Sequence, residues 1–422
     1  MFRGSKAFQS TQTSVKYTWR LVLTLEVLIL LLIAQAISTH SVSESTLLHS
    51  RLHTAPESHR NIYGGDLTVE HPDPRIQSQL AMLNLRVDPR LQKVAEQILK
   101  FVPDTNSMLP LESLNFYLNA SGAVYWDTEQ IFLETDELND VEVYRRLLTT
   151  QHANPSTFGS RIGFAEQWTL FPRLQRRIIA LVAHPKLILE PFTRHVAPNH
   201  PFTLSGRLAK EVGQVSVMAL KSDGNSVHFR AHTAKDELMS ELELNRGKWT
   251  IEIVGDLQRG PLPLAQFTLC VGCAEREDLR AISPKKHRHS ESPEQYMLTL
   301  INRSRLEKGL NPIEMSPALT RVATAHAEDM LANHFVGHRS PTSGEIEDRL
   351  KNADIHPQLF AENIGRSDSI GEVHHNLMHS ISHRMNVLEP TFTHVGLGIK
   401  KSRGNWIITQ VFAKFQPRVS QL

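Results

Sequence analysis

The sequence predicts a multidomain chain in which two layered α/β regions flank a small antiparallel β-sandwich. Three observations carry this. The 422 residues are enough for two or three domains at about 100–200 residues each. Between Val215 and Cys270 the chain runs in short alternating segments split by turn signals. After Ser292, helix starts and helically spaced apolar residues lead into two strand-like runs near the C-terminal end. The implied boundaries are a leader over residues 1–38, a spacer over 39–75, an α/β region over 76–195, the β-sandwich over 196–273, a charged linker over 274–290 and the last α/β region over 291–417.

In the leader, Arg3, Lys6, Lys16 and Arg20 precede an apolar run from Leu21 to Ile33, and Ala34-Gln35-Ala36 follows. Basic start, apolar run and small-x-small site, in that order, form a secretory signal peptide cleaved after Ala36. The other reading is an uncleaved membrane anchor over residues 21–37, nearly long enough to cross a bilayer. Either places the rest of the chain outside the cytoplasm: secreted, periplasmic or on the cell surface. Bulk composition is that of globular material, with 40% hydrophobic and 21% charged residues. A formal net charge of +2 leaves no global basic field for nucleic acid. Cys270 and Cys273 are the only cysteines, so core burial rather than a disulfide framework must hold the domains. Their Cys-x-x-Cys spacing closes a β-region and has no second pair to make a zinc knuckle. It reads as a short local disulfide.

The spacer is polar and without period. In the first α/β region, Asp88-Pro89 starts a helix whose Leu91, Val94 and Ala95 fall at core spacing, and Ile178 to Val182 is strand-like. The β-sandwich rests on Val215–Leu220, Val227–Arg230, Trp249–Ile253 and Phe267–Cys270, with Ser222-Asp223-Gly224-Asn225 as a turn. Lys285-Lys286-His287-Arg288-His289 makes the linker a solvated charged segment. In the last region, Ser292-Pro293 and Ser316-Pro317 are helix starts. Leu319, Val322, Ala323, His326, Ala327 and Met330 line one helical face. Ser369 to Glu372 opens a further helix. Two strand-like runs, His394 to Lys400 and Trp406 to Phe412, flank Ser402-Arg403-Gly404-Asn405, which suits a hairpin. Helices before and between short strands give a layered α/β domain.

Seven ordered blocks make this last region specific. They are Leu300-Ile301-Asn302-Arg303 with Gly309-Leu310-Asn311-Pro312; Ala325 to Met330; Phe335-Val336-Gly337-His338-Arg339-Ser340-Pro341; Asp348-Arg349-Leu350; Ala361-Glu362-Asn363-Ile364; Ser380 to Leu388; and Phe392 to Gly398 with Thr409-Gln410-Val411-Phe412. Together they resemble the CAP superfamily of cysteine-rich secretory proteins, antigen five and plant pathogenesis-related proteins, in its bacterial form. The resemblance implies an α-β-α sandwich with a cleft holding two His and one or two Glu, here His338, Glu362 and His383. Imidazoles and a carboxylate suit a divalent metal such as zinc or general acid/base work. The family's second glutamate would fall near Ser380, after a tryptophan that is here Leu377, so the cluster is incomplete. The structural alternative is that the three are hydrogen-bonded cleft residues.

The function this implies is a secreted or surface-exposed module binding a lipid, a metal or a partner protein. The alternatives are a metal-assisted hydrolase of peptides or cell-wall polymers, and a structural surface or adhesion protein. The chain has no Gly-x-Ser-x-Gly elbow, no His-Glu-x-x-His helix and no second matched carboxylate, and that favours binding. His326 reads as a core histidine, Arg349 and Arg384 as ion-pair partners, and Asn363 as fixing the loop after Glu362. His375, His379 and His383 fall at i, i+4 and i+8, one face of a helix if it continues through Ile381-Ser382, where a His pair would be a workable transition-metal clamp; the other reading is a solvated polar face. Finally, Asp88 to Ala95 echoes Ser316 to Ala323, and Asn154-Pro155-Ser156-Thr157-Phe158 with Arg161 to Phe164 echoes Glu389-Pro390-Thr391-Phe392 with His394 to Leu397. The echo suits residues 76–195 as a degenerate copy of the C-terminal fold, without its histidines; the alternative is an unrelated α/β domain, since such helix starts and Ile-Gly strands are common.

Overall fold

The computed structural model describes residues 62–101, 109, 111–149, 158–169, 174–273, 291–402 and 404–416. The leader, the start of the spacer and the charged linker lie outside the described residues.

The C-terminal region is built on a four-stranded sheet in the order Glu314–Met315, His394–Ser402, Asn405–Lys414, Leu359–Ser367. The first pair is parallel and the others antiparallel. Alternation along Asn405–Lys414 splits the core in two. Val411 and Ala413 pack with Leu319, Val322 and Ala323 of helix Pro317–Ala332. Ile408 and Phe412 pack with Met297 and Ile301 of helix Pro293–Leu306 and Val373 and Leu377 of helix Ile370–His379. The sheet is therefore covered by helices on both faces. Ser292, Ser316 and Ser369 accept a backbone N–H from the first turn of these three helices, which satisfies donors that the helix itself cannot pair. Helix Pro317–Ala332 lies directly on its strand because two glycines leave room. A Cβ on Gly396 would sit 2.1 Å from the Leu319 carbonyl carbon, and one on Gly398 2.1 Å from the Ala323 oxygen. Gly396→Ala should therefore lower the stability of this region by about 3 kcal/mol, the upper range for overpacking. Calorimetric unfolding would show this, and an unchanged transition would contradict the contact.

The N-terminal α/β region has a four-stranded sheet in the order Leu85–Val87, Ser160–Thr169, Gln175–Ala183, Thr128–Thr135, again with only the first pair parallel. Ile178, Ala180 and Val182 face helices Pro74–Met82 and Asp140–Thr149, while Ile179 and Leu181 face helices Pro89–Phe101 and Leu111–Ser121. Three local contacts match those of the C-terminal sheet. Asp88 N donates to Ile162 O at 2.8 Å, as Ser316 N does to Val395 O at 2.8 Å. Phe164 N donates to Gln92 Oε1 at 3.1 Å, as Leu397 N does to Thr320 Oγ1 at 3.3 Å. A Cβ on Gly163 would fall 2.0 Å from Gln92 N, the close approach seen at Gly396.

The central region consists of a five-stranded and a four-stranded sheet around one core that includes Leu204, Val217, Trp249, Ile251, Ile253, Phe267 and Leu269. It differs from expectation in two ways. One edge pairing, Gly260–Val271 with His195–Val196, is parallel rather than antiparallel. The region also starts earlier than residue 196, because Leu187–Leu189 pairs with Phe202–Leu208. The spacer is likewise shorter than expected. Ile62–Tyr63 pairs with Phe192–Thr193, Tyr63 is buried against Phe267, and Asp73 caps the helix that begins at Pro74. These aromatic contacts recruit a polar segment into the core. Cys270 and Cys273 are joined in a disulfide.

Candidate functional site

The edge strand Leu359–Ser367 presents Glu362, and the loop after helix Pro317–Ala332 presents His338. Glu362 is 7% exposed and both its oxygens are engaged. His338 Nδ1 is 2.9 Å from Oε1, and Arg349 Nη2 donates to Oε2 at 2.6 Å. Burial alone would raise the Glu362 pKa. The hydrogen bond and charge of His338 and the charge of Arg349 outweigh it, and the carboxyl lies below its ordinary value. Arg349 also donates to His338 O and Gly344 O, at 3.0 and 2.7 Å. One guanidinium thus fixes both the loop and the carboxylate beside it.

His383 enters from helix Ile381–Leu388. Its Nδ1 lies 2.8 Å from Ser380 Oγ. Burial, and then the charge of His338, pushes its pKa down to about 3. The stripe of three histidines on one helix does not form. Ser380 adopts an extended conformation (ψ 131°), ending helix Ile370–His379 and capping the next. A buried anchor holds this break: the side chain of Glu252 takes the Ile381 and Ser382 N–H groups. His375 and His379 do share a face, with ring centroids 4.2 Å apart, and His379 Nδ1 lies 3.0 Å from the His375 carbonyl. His383 stands on a separate helix.

His338, Glu362 and His383 line one cavity of about 350 Å³. Phe360, Ala361 and Ile346 form its apolar side, and Val254, Gly260, Pro261 and Pro263 of the central region form the opposite wall. That wall is seated closely. Arg339 donates to the carbonyls of Leu257 and Gln258 and pairs with Glu345. A Cβ on Gly260 would fall 2.8 Å from His338 Cβ. His338 and Glu362 are thus a hydrogen-bonded pair at the pocket, and His383 lines the same pocket from a separate helix, bonded to Ser380. With both Glu362 oxygens committed, the nitrogens left over are Nε2 of His338 and His383. Among the described residues no group of three or more His, Cys, Asp or Glu is placed to hold an ion.

His326 is a buried histidine, with Nε2 3.0 Å from Gly337 O and a pKa lowered chiefly by burial. Asn363 lies within the strand rather than in a loop and ties it to helix Ile381–Leu388, donating to His383 O at 3.0 Å and accepting from Asn386 at 2.9 Å. Arg384 forms no ion pair among the described residues, and burial lowers its pKa. Sequence reasoning missed Glu252, Gln266 and the Leu257–Gly260 hairpin. Alternation along Trp249–Ile253 puts Glu252 on the face away from the local core, where a carboxylate reads as solvated. Only the docked C-terminal region buries it.

Residues 298–412 match the family model described as CAP, the cysteine-rich secretory protein family. Over 120 residues the chain is 35% identical to the uncharacterized protein YkwD of Bacillus subtilis (strain 168), covering 28% of this chain and 46% of that protein. Over 124 residues it is 30% identical to the uncharacterized membrane protein YlbC of the same organism, covering 29% of this chain and 36% of that protein. The chain spans less than half the length of these curated relatives. Among solved structures it is similar to an outer surface protein from Borrelia burgdorferi, at 18% identity over 31% of this chain and 97% of that one, TM-score 0.29. It is also similar to an extracellular protein containing a SCP domain from Bacillus anthracis str. Ames, at 18% identity over 54% of this chain and 82% of that one, TM-score 0.27. The seven blocks, the layered sheet and the family match converge, and the C-terminal region of this chain is a CAP domain.

Proposed function

We propose that the protein is an extracytoplasmic binding module whose CAP domain takes a small amphipathic ligand in a cleft closed on one side by the central β-region. The observation that carries this is the shared cavity of about 350 Å³, which His338 and His383 line together with the apolar Val254, Pro261, Pro263, Ile346 and Phe360. Small-molecule sites are typically concave and mostly apolar, with a few polar groups that fix orientation. With Nδ1 of each imidazole engaged by an oxygen, Nε2 is the nitrogen left to meet a ligand hydroxyl or amine. The leader over residues 1–38 supports the location. Among the described residues no helix is long and apolar enough to cross a membrane.

Binding is favoured over hydrolysis for two reasons. A general base works best near the operating pH, and His383 at about 3 is far below neutrality. Ser380, the hydroxyl beside it, is fully buried and is not part of the cavity lining. The test is to purify the full chain from its export compartment, identify bound small molecules by mass spectrometry, and titrate them back. His383→Ala and Phe360→Ala should each weaken binding at least about tenfold, as expected for losing one good contact, with the unfolding profile kept. Extracts no richer than a mock purification would defeat this reading.

The N-terminal α/β region is proposed to be a degenerate CAP copy without a site. Shared strand order and the matched contacts around Gly163 and Gly396 support it. Register supports it too. Glu362 pairs with Val411, which pairs with Gly396; Gln130 pairs with Leu181, which pairs with Gly163. Gln130 thus occupies the place of Glu362, and it closes on the Leu109 backbone at 3.0 and 2.8 Å. One ligand per chain, lost with His383→Ala and kept with Gln130→Ala, is the expected stoichiometry.

A further inference from the structure

Glu252 has no solvent exposure, although it belongs to strand Gly247–Leu257 of the central region and points away from that region's core. Its partners lie across the boundary, in the CAP domain. Oε2 accepts from Ile381 N and Oε1 from Ser382 N, each at 2.9 Å, and Ser380 Oγ donates to Oε1 at 3.3 Å. Gln266, its register partner on the next strand, donates to Oε2 at 3.2 Å and to His379 O at 2.8 Å. Met218 and Val254 of the central region and Ile381 form an apolar cluster beside it. A buried carboxylate is tolerated only when its lone pairs are met, and here backbone and side-chain donors from two domains meet them.

This arrangement orders the next group in line. Ser380 Oγ also lies 3.0 Å from Ser382 Oγ, whose hydroxyl can donate to it; a carboxylate accepts and does not donate, so the bond to Glu252 takes the Ser380 hydroxyl hydrogen. The Ser380 oxygen is then left to accept from His383 Nδ1, 2.8 Å away. The tautomer of a histidine is set by the bond that its other nitrogen makes. We infer that Glu252 is an interdomain positioning residue: through Ser380 it holds His383 as the Nδ1–H tautomer, so that the Nε2 lone pair is offered to the cavity only while the central region is docked on the CAP domain. This rests on the reading of the cavity as the binding site, and it assigns control of that site to a neighbouring domain.

The test uses ligand-free, full-length protein with ¹⁵N-labelled histidine, with the His383 ring signals identified by their absence in His383→Gln. In the wild type the ring should be the Nδ1–H tautomer. Ser380→Ala removes the relay and leaves Glu252 holding the Ile381 and Ser382 N–H groups, so the Nδ1–H tautomer should be lost while interdomain protection from proteolysis persists and the melting temperature falls only by the small amount expected for one lost helix cap. Glu252→Gln should lose the tautomer and the proteolytic protection together. If Glu252→Gln fails to fold, Ser380→Ala decides alone. An Nε2–H ring in the wild type, or an unchanged Nδ1–H ring in Ser380→Ala, overturns the inference. Because no ligand is present, a failed ligand search leaves this result standing.

Discussion

Arg349→Met should destabilise the CAP domain by about 3–5 kcal/mol, the usual cost of leaving a buried charge without its partner. Arg349 and Glu362 are 6% and 7% exposed and meet at 2.6 Å, so water screens the remaining carboxylate poorly. The guanidinium also holds the carbonyls of His338 and Gly344, and its loss frees the loop carrying His338. The double variant Arg349→Met, Glu362→Gln should recover much of the loss, because the stranded charge is then gone. Calorimetric unfolding of the four proteins of this cycle measures the coupling. A single-variant cost under about 1 kcal/mol would place the pair with weak surface bridges and remove it as the organiser of the site.

What was legible in the sequence is what local chemistry encodes. Ser292, Ser316 and Ser369 cap helices as their positions before Pro293, Pro317 and Ile370 implied. The face from Leu319 to Met330 is buried as its spacing required. His338, Glu362 and His383, which the sequence blocks singled out, all line one cavity within the span that matches the family model. What failed was long-range. Leu187–Leu189 joins the central four-stranded sheet, and Ile62–Tyr63 forms a separate two-stranded sheet with Phe192–Thr193, by pairings that no local signal announces. The proposed histidine stripe assumed that Ile381-Ser382 would continue a helix. Glu252, 129 and 130 positions away from them, supplies acceptors for both of their N–H groups and makes a second helix start as good as a continued one. A contact of that separation stabilises a break that propensity alone leaves undecided.

His374→Gln should make the CAP domain more acid-resistant. Burial, and then the charge of His375, pushes the folded-state pKa of His374 down to about 4, from an ordinary value of 6.5. Its Nε2 lies 2.9 Å from Ser304 Oγ, away from the cavity lining. The sign follows from proton counting. Between these two values the unfolded imidazole is protonated and the folded one is not. Unfolding therefore takes up a proton, and stability falls as pH falls. Its contribution is fully present above about 6.5 and is lost progressively down to about 4, at about 1.4 kcal/mol per pH unit. His383, at about 3, acts in the same direction over a wider window, and His326, also lowered by burial, adds to it. Glu252 acts oppositely, because burial raises its pKa and the folded state holds that proton longer. Comparison with a variant isolates one group from this sum. Relative to wild type, His374→Gln should gain roughly 3 kcal/mol between about pH 7 and pH 4, by the same linkage. Urea unfolding across that range reads the difference directly. Parallel wild-type and His374→Gln curves would mean that the folded protein protonates His374 as readily as the unfolded chain does.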